Sequence, residues 1–176
     1  MKLHLGCGNR RIDGFIHIDL MDYEYIDYKS SADKLGFIKD GTVDLIYASH
    51  LLEHFGRNEI EKVLTEWHRV LKRGGILRLA VPNFEAIVNV YMKNKNLEEL
   101  LGLLIGGQKN EYDFHKMIFD ERLLKRSLLK AGFSKAYRYD WRKTEHCNID
   151  DFSQAYLPHM DKEKGILMSL NLEAVK

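Results

Sequence analysis

The residues that could do chemistry fall into three groups. The first is Gly6-Cys7-Gly8, a tight glycine turn directly after the apolar Leu3-His4-Leu5. Glycines let a backbone approach a ligand closely. The second is Asp19, at the end of the next apolar run, Phe15-Ile16-His17-Ile18. A carboxylate at the carboxyl edge of an α/β sheet can hold the two hydroxyls of a ribose. Together they point to a nucleoside site; a plain tight turn is the competing reading of the glycines alone. A dinucleotide site needs a third glycine, and here Asn9-Arg10-Arg11 follow instead, so the ligand is expected to lack a pyrophosphate. The third group is the histidines. His115, after Tyr112-Asp113-Phe114, is the first candidate for a general base. A surface or helix-capping histidine is the alternative there.

Other groups read more blandly. His4 and His17 lie on neighbouring strands and are expected to be structural. His146-Cys147 with Asp150-Asp151 matches no standard zinc spacing, so no metal is expected. Arg10 and Arg11 could attract an anionic acceptor, but solvated arginines are the commoner outcome. Trp67 and Trp141 read as packing residues, with stacking on a sugar ring or base as the other use of Trp141.

Elements must position these groups. Short apolar runs at 3–5, 15–18, 43–48 and 76–81 read as strands, the third introduced by Asp40-Gly41 and the last stopped by Pro82. Between them, Ile60, Val63, Leu64, Trp67 and Leu71 share one helical face. Asn58 and Glu61 are expected to form its capping box, with Gly74-Gly75 past its end. Asn83 should cap a second helix with Phe84, Ile87, Val88 and Tyr91 inward. Asn96 should open a short Leu-rich helix through Leu104, and Asp120 a last one carrying Leu124 and Leu128. Met168, Leu170, Leu172 and Ala174 alternate with polar residues, as in an antiparallel strand with one half-covered face. The expected architecture is α/β: a mostly parallel sheet with an antiparallel strand added late.

Composition bounds the rest. A chain of 176 residues predicts one domain, 1–176. Lys+Arg 27 against Asp+Glu 26 argues against a dedicated nucleic-acid binder. Two cysteines, Cys7 and Cys147, build no disulfide framework. No apolar run is long enough to span a membrane, and no signal peptide precedes the first strand, so a cytoplasmic protein is expected.

The stretch from Leu3 to Asn83 resembles the class I S-adenosylmethionine-dependent methyltransferases. The matching pieces are Leu5-Gly6-Cys7-Gly8, Ile18-Asp19-Leu20, Ala32-Asp33-Lys34-Leu35-Gly36-Phe37 and Asp40-Gly41-Thr42-Val43-Asp44-Leu45-Ile46. They continue with Leu52-Glu53-His54-Phe55, Glu66-Trp67-His68-Arg69-Val70-Leu71-Lys72-Arg73-Gly74-Gly75 and Leu79-Ala80-Val81-Pro82-Asn83. The resemblance implies a Rossmann-like fold and S-adenosylmethionine as cofactor. It implies that Gly6, Cys7 and Gly8 lie against the methionine part. Asp19, with Leu20 beside it, would hold the ribose, and Ala32 and Asp33 would meet the adenine. Ser49, His50 and Leu51 would line the methionine and sulfonium side, which makes His50 the second catalytic candidate. Glu53-His54 would begin the helix behind that wall.

The sequence departs from that family's pattern in two places. Only six residues, 9–14, separate the glycine loop from the next strand, whereas a parallel crossover normally takes a dozen or more. A helix there must be a single turn or absent, leaving one sheet face thinner and the pocket more open. The chain also starts directly at strand one, so a lid is expected from elsewhere. Two segments, 91–116 and 141–164, are the candidates for lid and acceptor selection.

The resemblance thus implies methyl transfer to a small molecule or saccharide, by in-line O-methylation. A non-catalytic S-adenosylmethionine-binding module or partner subunit is the alternative, and a homodimer would be one way to complete the lid. A nicotinamide-dependent oxidoreductase is disfavoured by the glycine spacing. A methyltransferase of base amino groups is disfavoured by Ser49-His50-Leu51-Leu52 after the third strand run, which lacks the Asn/Asp-Pro-Pro-aromatic pattern. Neither a nucleic-acid nor a membrane partner is expected.

Overall fold

A computed structural model describes residues 1–176. In chain order the elements begin with strands β1 (Lys2–Leu5), β2 (Ile16–Asp19), β3 (Tyr28–Lys29) and β4 (Val43–Ser49). Helix α1 (Ile60–Val70), strand β5 (Leu71–Pro82) and helices α2 (Phe84–Asn94), α3 (Leu101–Ile105) and α4 (Glu121–Lys130) follow. The chain ends with β6 (Lys135–Arg138), β7 (Tyr156–Leu157), β8 (Ile166–Leu167) and β9 (Ser169–Val175). Seven strands form one sheet in the order β3-β2-β1-β4-β5-β9-β6, and β7 pairs with β8 in a separate hairpin. β3, β2, β1, β4 and β5 run parallel. β9 is inserted antiparallel between β5 and β6, as its period of two predicts.

The pleat sorts the sheet into two chemically different faces. One face is apolar. Leu3, Leu5, Ile46, Ala48, Leu77, Leu79, Leu170 and Leu172 bury against α1 and α4 in a single cluster of 27 residues. α1 contributes Ile60, Val63, Leu64, Trp67 and Val70, each adding roughly 1.5–3 kcal/mol by burial. The other face is polar in one continuous row. The register pairs His17 with His4, His4 with Tyr47, Tyr47 with Arg78, Arg78 with Glu173, and Glu173 with Tyr137.

No helix forms between β1 and β2, as the short spacing predicts. The expected thinning of one face does not follow. Residues 141–154 lie over the polar row instead. Glu145 accepts from Arg78 Nη1 at 2.7 Å and from Lys2 Nζ at 3.2 Å. The His146 ring lies 4.1 Å from that of Tyr47, and Asp151 accepts from the Tyr47 hydroxyl. β9 is therefore buried on both faces rather than half-covered: Ser169, Asn171 and Glu173 are all inside.

Three local expectations change. Asn58 does not cap α1; the cap residue is Glu59, whose carboxylate accepts from Gly56 N–H at 2.6 Å. Asn83 does cap α2, but the inward residues are Ala86, Ile87 and Val90, while Phe84, Val88 and Tyr91 are exposed. That helix packs on Leu100, Met168 and the hairpin residue Leu157 rather than on the main sheet core, which rotates its buried face. The Leu-rich segment opens as a 3-10 turn, Glu98–Leu100, before α3. Asp120 caps α4 as expected, accepting from Leu123 N–H at 2.6 Å.

Candidate active site

The glycine loop follows β1 at the carboxyl edge of the sheet. Gly6 (φ +62°) and Gly8 (φ +56°) both occupy the left-handed region. A Cβ on Gly6 would come within 2.8 Å of Leu51 Cδ1, so the loop and the turn after β4 are in close contact. Asp19 closes the loop from β2. One carboxylate oxygen accepts from Gly8 N–H and the other from Met21 N–H, each at 2.8 Å. Leu20 is exposed beside it. Cys7 is buried. Burial, reinforced by the negative charge of Asp19, pushes its thiol up to about 12, so it packs as a neutral group.

Residues 32–38 are tied down by α1. Trp67 Nε1 donates to Ala32 O at 2.9 Å. Arg69 donates to Leu35 O at 2.9 Å and to Ile38 O at 3.1 Å. Ser31 Oγ and Lys62 Nζ both donate to the Asp33 carboxylate. Burial alone would raise that carboxyl, but these two partners outweigh it and hold it below the usual range. The Glu66-Trp67-His68-Arg69 run is thus the anchor of the loop that carries Ala32 and Asp33.

Past β4 the chain turns sharply. Ser49 Oγ is buried with no hydrogen-bond partner. His50 takes φ +49°, an uncommon conformation for a residue with a Cβ and one that concentrates at functional sites. Its N–H donates to Ala80 O at 2.8 Å. Its Nε2 lies 3.1 Å from Ser169 Oγ, and Ser169 Oγ donates to Asn171 Oδ1 at 2.8 Å. That arrangement places the proton of His50 on Nε2 and leaves Nδ1 as an acceptor. Burial, then the neighbouring His115, His54 and Arg10, lower this imidazole to about 3, so it is uncharged. Phe152 stands against it, 5.3 Å between ring centroids, with Arg10 5.3 Å from the same ring. Arg10 also donates to Asp150 O at 2.8 Å, clamping 141–154 to the glycine loop.

His115 reaches the same place from the other side. Gly106 (φ +82°) lets the chain fold back on itself; a Cβ there would meet Asp113 O at 2.3 Å. The segment then docks on the 3-10 turn Leu52–His54: Lys116 and Met117 N–H both donate to Glu53 O, at 2.8 and 3.1 Å. His115 Nδ1 lies 3.1 Å from Leu103 O and its Nε2 4.0 Å from Glu53 Oε1. His50 Nδ1 is 3.4 Å from that same oxygen.

The two catalytic candidates therefore converge on Glu53, which the family resemblance places only at the start of a helix behind that wall. Glu53 is 0% exposed. Neither of its carboxylate oxygens has a hydrogen-bond partner, and burial pushes its carboxyl up to about 8. Its position beside His54 is plain in the sequence; that His50 and His115 close on it is not. Phe152, Ser169 and Asn171 were likewise unforeseen, because they lie in a loop and a distant strand.

The remaining candidates fall outside this cluster. His4 and His17 are buried on the polar face, with Ile12 N–H donating to His17 Nε2 at 2.9 Å. Trp141 is buried and donates from Nε1 to the Tyr156 hydroxyl at 3.3 Å. Arg11 faces solvent, 3.6 Å from Asp13. A polar hollow of about 280 Å³ lies beside β2, lined by Arg11–Phe15 and Glu24–Asp27 among others, and none of the expected cofactor residues borders it.

Comparison with known proteins bears on the fold. Residues 21–79 match the family model of a methyltransferase domain. No curated protein sequence shows significant similarity to the chain. A S-adenosylmethionine-dependent methyltransferase from Archaeoglobus fulgidus superposes with TM-score 0.59 at 18% identity, over 99% of this chain and 85% of that one. The 1,6-didemethyltoxoflavin-N1-methyltransferase of Burkholderia thailandensis, solved with 1,6-didemethyltoxoflavin and S-adenosylhomocysteine, gives 0.60 at 14%, over 99% and 70%. A S-adenosylmethionine-dependent methyltransferase from Mesorhizobium loti gives 0.57 at 16%, over 99% and 90%. These likenesses, all at 18% identity or less, show that the chain has the fold of S-adenosylmethionine-dependent methyltransferases, and the methyltransferase-domain match covers about a third of it.

Proposed function

We propose that this enzyme methylates an oxygen of a small molecule or saccharide, using the cluster around Glu53 to receive the acceptor. The observation that carries the reading is the convergence of His50 and His115 on a fully buried, unpartnered carboxylate, adjoining the glycine loop through Leu51.

The residues present fit the cofactor. Gly6 and Gly8 leave backbone without side chains, and Ser49 Oγ is a buried polar atom lacking a partner. Gly6, Cys7 and Gly8 would hold the methionine portion, Asp19 and Leu20 the ribose, and Ala32 and Asp33 the adenine. Ser49, His50 and Leu51 would border the reacting end. When bound, S-adenosylmethionine supplies an electrophilic methyl group on a sulfonium that leaves as a neutral thioether. The chain's own work is to align the acceptor oxygen with that methyl, keep water out and take up the acceptor's proton. His50, neutral with Nδ1 free to accept, suits orientation of a hydroxyl. His115 supplies the rest of the proton-accepting surface, and Glu53, whose carboxyl burial pushes up to about 8, stands beside both imidazoles.

Calorimetric titration tests the first half: S-adenosylmethionine should bind and NAD should not. Incubation with saccharides and small hydroxyl or amine acceptors tests the second. Methylation of amines but not hydroxyls would overturn the oxygen reading. Tight cofactor binding without transfer to any acceptor would favour a binding module.

A further inference from the structure

Glu53, His54 and His115 come from two distant parts of the chain. Their ligand-type atoms nevertheless all lie within 4.8 Å of one another. Each imidazole is held in a particular way. His115 Nδ1 lies 3.1 Å from Leu103 O, and His54 Nδ1 lies 3.2 Å from Phe114 O. A carbonyl can only accept, so both Nδ1 atoms carry the proton and both Nε2 atoms keep a lone pair. Metal-binding histidines are oriented in this way, with one ring nitrogen donating to a carbonyl and the other free for the ion. The rings stand edge to face, 4.9 Å between centroids. The third group is a carboxylate that is 0% exposed with both oxygens unpartnered. A buried acid without a donor is costly to keep, and a cation between it and two imidazoles would remove that cost.

We propose that Glu53, His54 and His115 bind one divalent transition-metal ion. Two imidazoles and a carboxylate suit zinc or its first-row neighbours better than magnesium or calcium, which prefer all-oxygen ligands. A zinc–nitrogen bond of about 2.0 Å sets ligand atoms roughly 3.3 Å apart in a tetrahedral site, so a bound ion draws these three groups together modestly. Three protein ligands leave a coordination position open, and His50 Nδ1, 3.4 Å from Glu53 Oε1, borders it. An acceptor hydroxyl bound there would lose its proton more readily, and His115 would serve the reaction through the ion. That catalytic use rests on the methyl-transfer reading; the binding of the ion does not.

The test is metal binding by the full chain after chelator treatment, titrated with zinc by calorimetry and with cobalt(II) by visible absorption. One equivalent is expected, with cobalt bands diagnostic of nitrogen and oxygen ligands. E53Q and H115A should lose the site, while H159A, at an exposed histidine, should keep it. Circular dichroism checks that the variants fold, and H54N gives the same reading should either fail. No stoichiometric binding by the unmodified chain, or unchanged binding by the variants, would overturn the proposal. Metal binding without methyl transfer to any acceptor would leave the site standing and remove its catalytic use. Full-rate transfer by the metal-free protein would remove that use alone.

Discussion

Asp19 accepts from the backbone of its own turn and from the glycine loop, one bond per oxygen. It therefore shapes the site while leaving lone pairs for a ribose. Asp19→Ala should weaken S-adenosylmethionine by about 10-fold to 100-fold, the range for losing charged hydrogen bonds; calorimetry reads this, and unchanged affinity would count against Asp19 as ribose ligand. Gly6 has a different constraint. Its φ is positive and its missing Cβ makes room for Leu51. Gly6→Ala should lower the melting temperature and cofactor affinity together, since strain and contact displace the same loop. Asn at this position tolerates the φ but not the contact, so it should rescue little. Glu53 is the instructive miss. A carboxylate in an apolar turn looks like surface in one dimension, and only its burial marks it as a site.

At the scale of elements, the first crossover and the 141–154 segment form one problem and its solution. A six-residue connection cannot supply a covering helix, yet the sheet face it leaves carries His4, His17, Tyr47 and Arg78. Covering that row takes polar partners, and the later segment brings Glu145, His146 and Asp151. Asp151 accepts from both the Tyr47 hydroxyl and Ser153 N–H. Asp151→Ala should destabilise the protein by about 1–3 kcal/mol in urea denaturation, because it strands a buried hydroxyl. Tyr47→Phe removes that hydroxyl, so the double variant should lose less than the sum of the single ones. Strict additivity would mean the pair is not coupled. The alternation that reveals this face is visible in the sequence: His4 between Leu3 and Leu5, Tyr47 between Ile46 and Ala48, Arg78 between Leu77 and Leu79. What covers it is not, because a segment without period gives no direction in which to pack.

For the whole molecule, the polar face makes stability depend on pH. Burial, then the charges of His17, His146 and Arg10, lower His4 from 6.5 to about 3. Burial and then Arg78 lower His146 from 6.5 to about 4. Between these values and 6.5 the unfolded chain binds more protons than the folded one. Their contribution is therefore complete above pH 6.5 and is lost as pH falls toward the folded values. The unfolding free energy from urea denaturation should fall between pH 6.5 and about pH 5, with a limiting slope near 1.4 kcal/mol per pH unit for each histidine. His146→Phe should flatten that slope; a wild-type unfolding free energy constant across this interval would refute the assignment. No helix is long and apolar enough to cross a membrane.

The sequence by itself determined what depends on neighbours in the chain. Period two and period 3.6, the glycine turn before Asp19, the caps at Asn83 and Asp120 and the antiparallel last strand are local patterns, and local sterics enforce them. The family signature is local in the same sense. Tertiary structure decided what depends on distance in space: which face α2 buries, what lies over the polar row, and the meeting of His50, Glu53, His54 and His115. Those outcomes follow from packing two sheet faces of unlike chemistry at once. The main-chain bonds from Lys116 and Met117 to Glu53 O belong to that packing, and they carry His115 to Glu53.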